Sequence, residues 1–179
     1  MWGRQPYSTA TTARDNVLLA VLTYGEGYHN FHHTFQWDYR NGIHWWHWDP
    51  TKWMIRLCSW IGLTGELKRC SPAQIEAVKL DQQFRRATER CQRLAIPDSL
   101  HKLLEQEYEQ LHETLKLWSR YRQEWYEARS RQLHEALGHW DRLAIRDAYR
   151  EIHFKLKIQR RRWQQLLQSL TRLREIPAQ

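Results

Sequence analysis

The sequence predicts a mostly α-helical protein: a short metal-binding helical segment and an aromatic loop region, followed by a long amphipathic helical hairpin. Three observations carry this prediction. No alternating apolar run is long enough to build a sheet. Apolar residues recur every three or four positions from Leu100 onward. Three histidines, His29, His32 and His33, stand at i, i+3 and i+4, which places them on one face of a helix.

Residues 1–16 read as loop, broken by Pro6 and the polar run Ser8-Thr9-Ala10-Thr11-Thr12. Asp15 or Asn16 is placed to cap a following helix. Val17-Leu18-Leu19-Ala20-Val21-Leu22 is apolar on every side, so burial all round is expected. Gly25 and Gly27 each cost a helix about 1 kcal/mol relative to Ala. Their use implies a backbone packed close to something bulky.

Residues 35–53 are aromatic and loop-like, interrupted by Asn41-Gly42 and Asp49-Pro50. Pro50 at a first helical turn predicts a short helix to about Leu63, capped by Asp49 or Thr51. Ser71-Pro72-Ala73-Gln74 has the form of a capping box, with Pro at the first helical position, and opens a helix to about Leu94. Pro97 ends it, and Asp98 or Ser99 starts the next.

The heptad-like series then runs Leu104, Tyr108, Leu111, Leu115, Trp118 and Trp125. It resumes at Ile145, Tyr149, Ile152, Leu156, Gln159, Trp163, Leu166, Leu170 and Leu173. A turn near Gly138-His139-Trp140-Asp141 makes this an antiparallel hairpin; one unbroken helix pairing with a second chain is the alternative. Residues 1–70 and 71–179 therefore form two segments of different character.

The chain has 179 residues and a net charge of +8, with 11 Trp and 10 His. Basic residues are interspersed with acids and no nucleic-acid reading motif appears, so no nucleic-acid partner is expected. No stretch approaches the roughly 20 apolar residues of a transmembrane helix. Cys58, Cys70 and Cys91 lack CxxC spacing, which argues against a disulfide framework or zinc knuckle and fits a reducing, cytoplasmic setting.

Three imidazoles within five residues are a metal signal, since neutral imidazole is a good ligand for iron, zinc, copper or nickel. Composition and spacing stop there: a metal-binding helix with a long basic tail. The flanking sequence goes further. Gly25-Glu26-Gly27-Tyr28-His29-Asn30-Phe31-His32-His33-Thr34-Phe35, then Asp38-Tyr39-Arg40 and Trp46-His47, resembles the last third of the membrane acyl-CoA Δ9 (stearoyl-CoA) desaturases. Trp2-Gly3-Arg4-Gln5-Pro6-Tyr7 and Ala13-Arg14-Asp15-Asn16 resemble the bacterial branch of that family. The resemblance covers residues 1 to about 70.

The resemblance implies a di-iron oxidoreductase that uses dioxygen to place a cis double bond in saturated C16–C18 acyl chains. His29, His32 and His33 match the third histidine box and are carried over as iron ligands, with Glu26 and Asn30 as the groups orienting their rings. Trp37, Arg40 and Trp46 are assigned to the substrate region, and Arg4, Arg14 and Arg40 are candidates for the CoA phosphates. His44 and His47 are expected to be structural or to support the ligands from behind, since the family's ligand set does not use this stretch. No cofactor-binding motif other than the iron ligands is identified. The implied partners are a fatty acyl-CoA, a ferredoxin-, rubredoxin- or cytochrome b5-type electron carrier, and the membrane, at the cytoplasmic face of a bacterial inner membrane.

The first two histidine boxes and the preceding transmembrane helices have no counterpart here. The expectation is a C-terminal part of such an enzyme, inactive by itself. Two other readings compete. One is a different histidine-box membrane oxygenase, such as an alkane hydroxylase or a sterol or carotenoid oxygenase. The other is a non-enzymatic helical interaction module built on the hairpin.

Overall fold

The computed structural model describes residues 2–94, 96–131 and 139–173, with the side chains of 128–142 set aside. The described residues form six α-helices and no strand: α1 (Val17–Leu22), α2 (His29–Thr34), α3 (Pro50–Trp60), α4 (Pro72–Arg93), α5 (Asp98–Arg131) and α6 (His139–Arg172). Contacts divide the chain into two compact units, Met1–Gln82 and Gln83–Gln179, with the division falling inside α4. The mostly helical class expected from the sequence is what is observed.

In the first unit the N-terminal loop is tied down by its own backbone. Arg4 and Asp15 exchange N–H···O bonds of 2.9 and 2.7 Å, and Asn16 N–H reaches Gly27 O at 2.8 Å. The Asn16 side chain accepts from Leu19 N–H and so caps α1. A core of Tyr7, Phe31, Phe35, Cys70 and Ile75 lies beneath, flanked by Ile43 and Val78. Tyr7 meets Phe31 and Phe35 edge-on at 5.4 and 5.7 Å, the geometry that ring quadrupoles favour.

Helix α1 departs from expectation. Only Ala20 is buried; Val17, Leu18, Leu19, Val21 and Leu22 are all exposed. Six residues of helix present one narrow contact face, and here that face is Ala20 against Gly27. A Cβ on Gly27 would lie 2.1 Å from Ala20 N. At Gly27 the close neighbour that demands glycine is therefore the backbone of α1, and at Gly25, with φ +101°, it is Asp49; the chain itself supplies the bulky neighbour the sequence suggested.

Asp49 caps α3, accepting Lys52 N–H at 2.9 Å, with Pro50 in the first turn. The helix stops at Trp60, three residues before the expected Leu63. Gly62 N–H bonds Ser59 O and Leu63 N–H bonds Cys58 O, with Gly62 at φ +75°, which is a Schellman closure. The capping box of α4 forms as read: Ser71 N–H to Gln74 Oε1 at 2.9 Å, and Gln74 N–H to Ser71 Oγ at 3.2 Å.

In the second unit, the end of α4 joins α5 and α6. Trp163 Nε1–H donates to Gln83 Oε1 at 2.8 Å, and Arg90 donates to the carbonyls of Leu170, Thr171 and Leu173. Pairs 80 to 83 residues apart that advance together make α4 and α6 parallel. Phe84 stacks on Tyr108 at 4.2 Å, and a four-residue link reverses the chain between α4 and α5. Helix α5 therefore runs antiparallel to both, and it packs against α6 as the expected hairpin does.

Leu104, Leu111, Leu115, Leu156, Trp163 and Leu170 are buried along this seam. Leu173, the last position of the periodic series, is exposed because α6 has ended at Arg172. The turn placed at Gly138 lies outside the described residues.

Candidate metal site

A six-residue helix such as α2 has too few internal hydrogen bonds to hold itself together in water. It is held from outside. Its N-cap residue, Tyr28, offers no side-chain bond, but Asp15 Oδ1 accepts Asn30 N–H at 2.8 Å and Phe31 N–H at 3.2 Å. Burial raises the Asp15 pKa, and these two bonds partly offset that rise. Phe31 and Phe35 anchor the inner face of the helix, which turns His29 and His33 outward.

His29 and His33 lie one turn apart, and their Nε2 atoms meet at 2.9 Å. The His32 ring stands 6.3 Å from His29 and 6.0 Å from His33, with its Nδ1 buried and without a partner. One ring donates and the other accepts across this contact; with that hydrogen moved to Nδ1, the two Nε2 atoms would be close enough to share a metal at the usual metal–imidazole distances of about 2.0–2.1 Å. His32 does not complete a three-donor set. Among the described residues, no group of three or more His, Cys, Asp or Glu is placed to hold a metal. The chain thus offers a two-nitrogen chelate and one orphaned ring nitrogen, which fits part of a histidine-rich metal centre and not a whole one.

Burial first, then the neighbouring His33 and His32 rings, lower the His29 pKa, while Glu26 opposes this. The shift favours the neutral ring, the form that binds metal. The Glu26 carboxylate stands 3.8 Å from His29 Nδ1, on the side away from His33. Asn30 is placed differently. Its Oδ1 accepts Tyr7 and Ser8 N–H groups, and its Nδ2 donates to the Ser8 and Ala13 carbonyls. The Asn30 side chain spends both donor hydrogens on the N-terminal loop and orients no histidine.

Glu26, His29 and His33 line an open cavity of about 700 Å³, whose apolar wall is Leu18, Leu19 and Leu22. The exposed side of α1 is therefore a wall of this cavity. Arg14 also lines it and donates to Gly3 O at 3.2 Å. Arg4 takes part through its backbone, in the pairing with Asp15.

Trp37, Arg40 and Trp46 lie apart from the cavity. Arg40 is bound bidentately to Asp38, at 2.9 and 2.6 Å. Burial would raise the Asp38 pKa, but the Arg40 and Cys70 N–H bonds outweigh it and hold this carboxyl below its ordinary value. Trp37 is exposed, and Trp46 is exposed while stacked on His44 at 4.3 Å. His47 stacks on Tyr28 at 4.5 Å, a packing role.

Two organising residues were not legible in the sequence. Lys52 is buried, and its ammonium donates to Gly42 O at 3.0 Å and His44 O at 2.9 Å, gathering the aromatic loop. Asp49 is fully buried, and beyond capping α3 it accepts Asn41 and Gly42 N–H, both at 2.8 Å. The Asp-Pro pair signals only the cap. No periodicity marks a helix whose buried residue is a lysine and whose Trp53, Leu57 and Trp60 are exposed.

A short helix thus pairs two imidazoles beside an apolar-walled cavity. No family model matches the chain, and no solved structure matches it. Characterised sequences do. The chain is similar to acyl-CoA desaturase 1 of Saccharomyces cerevisiae, 49% identical over 81 residues that make up 45% of this chain and 16% of the relative. It is similar to human stearoyl-CoA desaturase 5, 40% identical over 79 residues, 44% of this chain and 24% of the relative. It is also similar to the chloroplastic palmitoyl-monogalactosyldiacylglycerol delta-7 desaturase of Arabidopsis thaliana, 38% identical over 74 residues, 41% of this chain and 20% of the relative. The chain thus spans a quarter or less of the length of these relatives. Their names share desaturation and differ in acyl carrier, and the Arabidopsis name alone gives a double-bond position, delta-7.

Proposed function

We propose that this chain carries part of the di-iron centre of an acyl-CoA Δ9 desaturase acting on saturated C16–C18 chains. The observation that carries the reading is the His29–His33 pair, with Nε2 atoms 2.9 Å apart at the rim of a cavity walled by Leu18, Leu19 and Leu22. The similarity to fatty-acid desaturases supports it. When bound, iron supplies the dioxygen-derived oxidant that an unactivated methylene pair requires. His29 and His33 would hold it, His32 would join them once the remaining ligands complete the centre, and Glu26 would orient the His29 ring.

The apolar wall of α1 binds an acyl chain by excluding water from it. The exposed aromatic residues of the first unit, Trp37 and Trp46 among them, meet the membrane, where amphipathic rings are favoured. No helix among the described residues is long and apolar enough to cross a membrane. The remaining iron ligands come from polypeptide outside these residues, since the three imidazoles here do not form a complete group. Electrons come from a ferredoxin-, rubredoxin- or cytochrome b5-type carrier. Residues 1–70 form the desaturase part and 71–179 a helical extension.

The isolated chain is expected to release no oleoyl product from stearoyl-CoA when given iron, dioxygen and a reductase with its carrier. Turnover by the isolated chain would contradict the shared-centre reading.

A further inference from the structure

We propose that Asn41 is a positioning residue for His29, acting through Glu26; this deepens the reading above and rests on His29 being a metal ligand. Glu26 is an exposed side chain, 56% accessible, and left to itself would sample many rotamers. Its two carboxylate oxygens face different partners, one through a hydrogen bond and one across a charge-pair distance. Asn41 Nδ2–H donates to Oε1 at 3.3 Å, and Oε2 faces His29 Nδ1 at 3.8 Å.

Asn41 itself cannot wander. It is buried, and its backbone N–H and that of Gly42 both bond Asp49 Oδ2 at 2.8 Å. Asp49 is fully buried and anchored in turn as the cap of α3. A chain of contacts therefore runs from the start of α3 through Asn41 and Glu26 to the ring that faces the cavity.

The chemical consequence is the position of one proton. A carboxylate oxygen beside Nδ1 favours the tautomer with hydrogen on Nδ1, leaving the Nε2 lone pair free. In His29 that free Nε2 is the atom facing His33. His33 Nε2–H is then the donor of the 2.9 Å contact while no metal is bound. Asn41 thus prepares one of the two donor nitrogens in advance, from a loop that touches neither ring.

The test is the tautomer of His29, read from the ring ¹⁵N shifts of the uniformly labelled, metal-free full chain at neutral pH. The wild type is expected to show the Nδ1–H form. Asn41→Ala should move His29 toward the Nε2–H form that free imidazole prefers, Glu26→Gln should do the same, and the double variant should move it no further. Asn41→Asp keeps the side-chain shape and exchanges the donor for an acceptor, so it serves if the alanine variant folds poorly. The His47 ring, stacked on Tyr28, is the internal control for an intact fold.

Affinity for Co²⁺ should fall about tenfold in the Asn41 variants, the lower end of the cost of losing an orienting group. A wild-type tautomer in folded Asn41→Ala or Asn41→Asp, with Glu26→Gln displaced, overturns the role of Asn41 and leaves the metal reading standing. Loss of Co²⁺ sensitivity to His29→Ala would instead overturn the metal reading itself.

Discussion

Asp15 Oδ1 accepts Asn30 N–H at 2.8 Å, so the helix that carries the histidines is capped by a residue fifteen positions upstream. A cap supplied from another loop couples two things usually separate, the order of the N-terminal segment and the direction of the imidazoles. Asp15→Ala is expected to cost about 1–2 kcal/mol, the usual value of a lost cap. Asp15→Asn, which keeps an acceptor, should restore most of it. Urea unfolding of the two variants checks this, and equal losses in both would show that the acceptor is not what matters.

Gly27→Ala tests the contact that seats α1. The added methyl would stand 2.1 Å from Ala20 N and 2.5 Å from Ala20 Cα, both backbone atoms that cannot step aside like a side chain. A destabilisation of about 1–3 kcal/mol follows from overpacking. Thermal melting measures it, together with loss of the 700 Å³ cavity shape as reported by an apolar fluorescent probe.

His47 gives the clearest pH signature. Burial first, then the charges of His44 and Lys52 against the opposing Asp49, lower its pKa from 6.5 to about 4. The folded chain therefore binds this proton more weakly than the unfolded chain. As pH falls from 6.5 toward 4, the unfolded state takes up the proton first and stability drops; below 4 both states hold it and the slope from this group vanishes. Because Nδ1 is buried without a partner, His47→Phe gives up no bond at that atom and keeps a ring against Tyr28. Urea midpoints across this range should be flatter in His47→Phe than in the wild type. Identical profiles would place the titration elsewhere.

Features written in local chemistry were legible in the sequence. The Ser71–Gln74 capping box, the Asp49 cap with Pro50 and the α5–α6 seam each depend on residues within one or two turns of each other. The α1 segment was misread because hydrophobicity says that a surface wants cover without saying what covers it; here Ala20 packs and Leu18, Leu19 and Leu22 face the cavity. Asn30 was misplaced for a related reason. Its spacing puts it beside His29, yet its amide is claimed by the Ser8 and Ala13 carbonyls, brought near by the fold. The Lys52 cluster and the cap from Asp15 rest on contacts between separate loops, which periodicity does not encode.

The central claim is that His29 and His33 act together as metal donors. Anaerobic equilibrium dialysis of the full chain against Fe²⁺ tests it most directly. The wild type should retain iron weakly, His29→Ala and His33→Ala should each lose most of that retention, and the double variant should lose no more than either single change. Iron retention unchanged in the double variant would contradict the account.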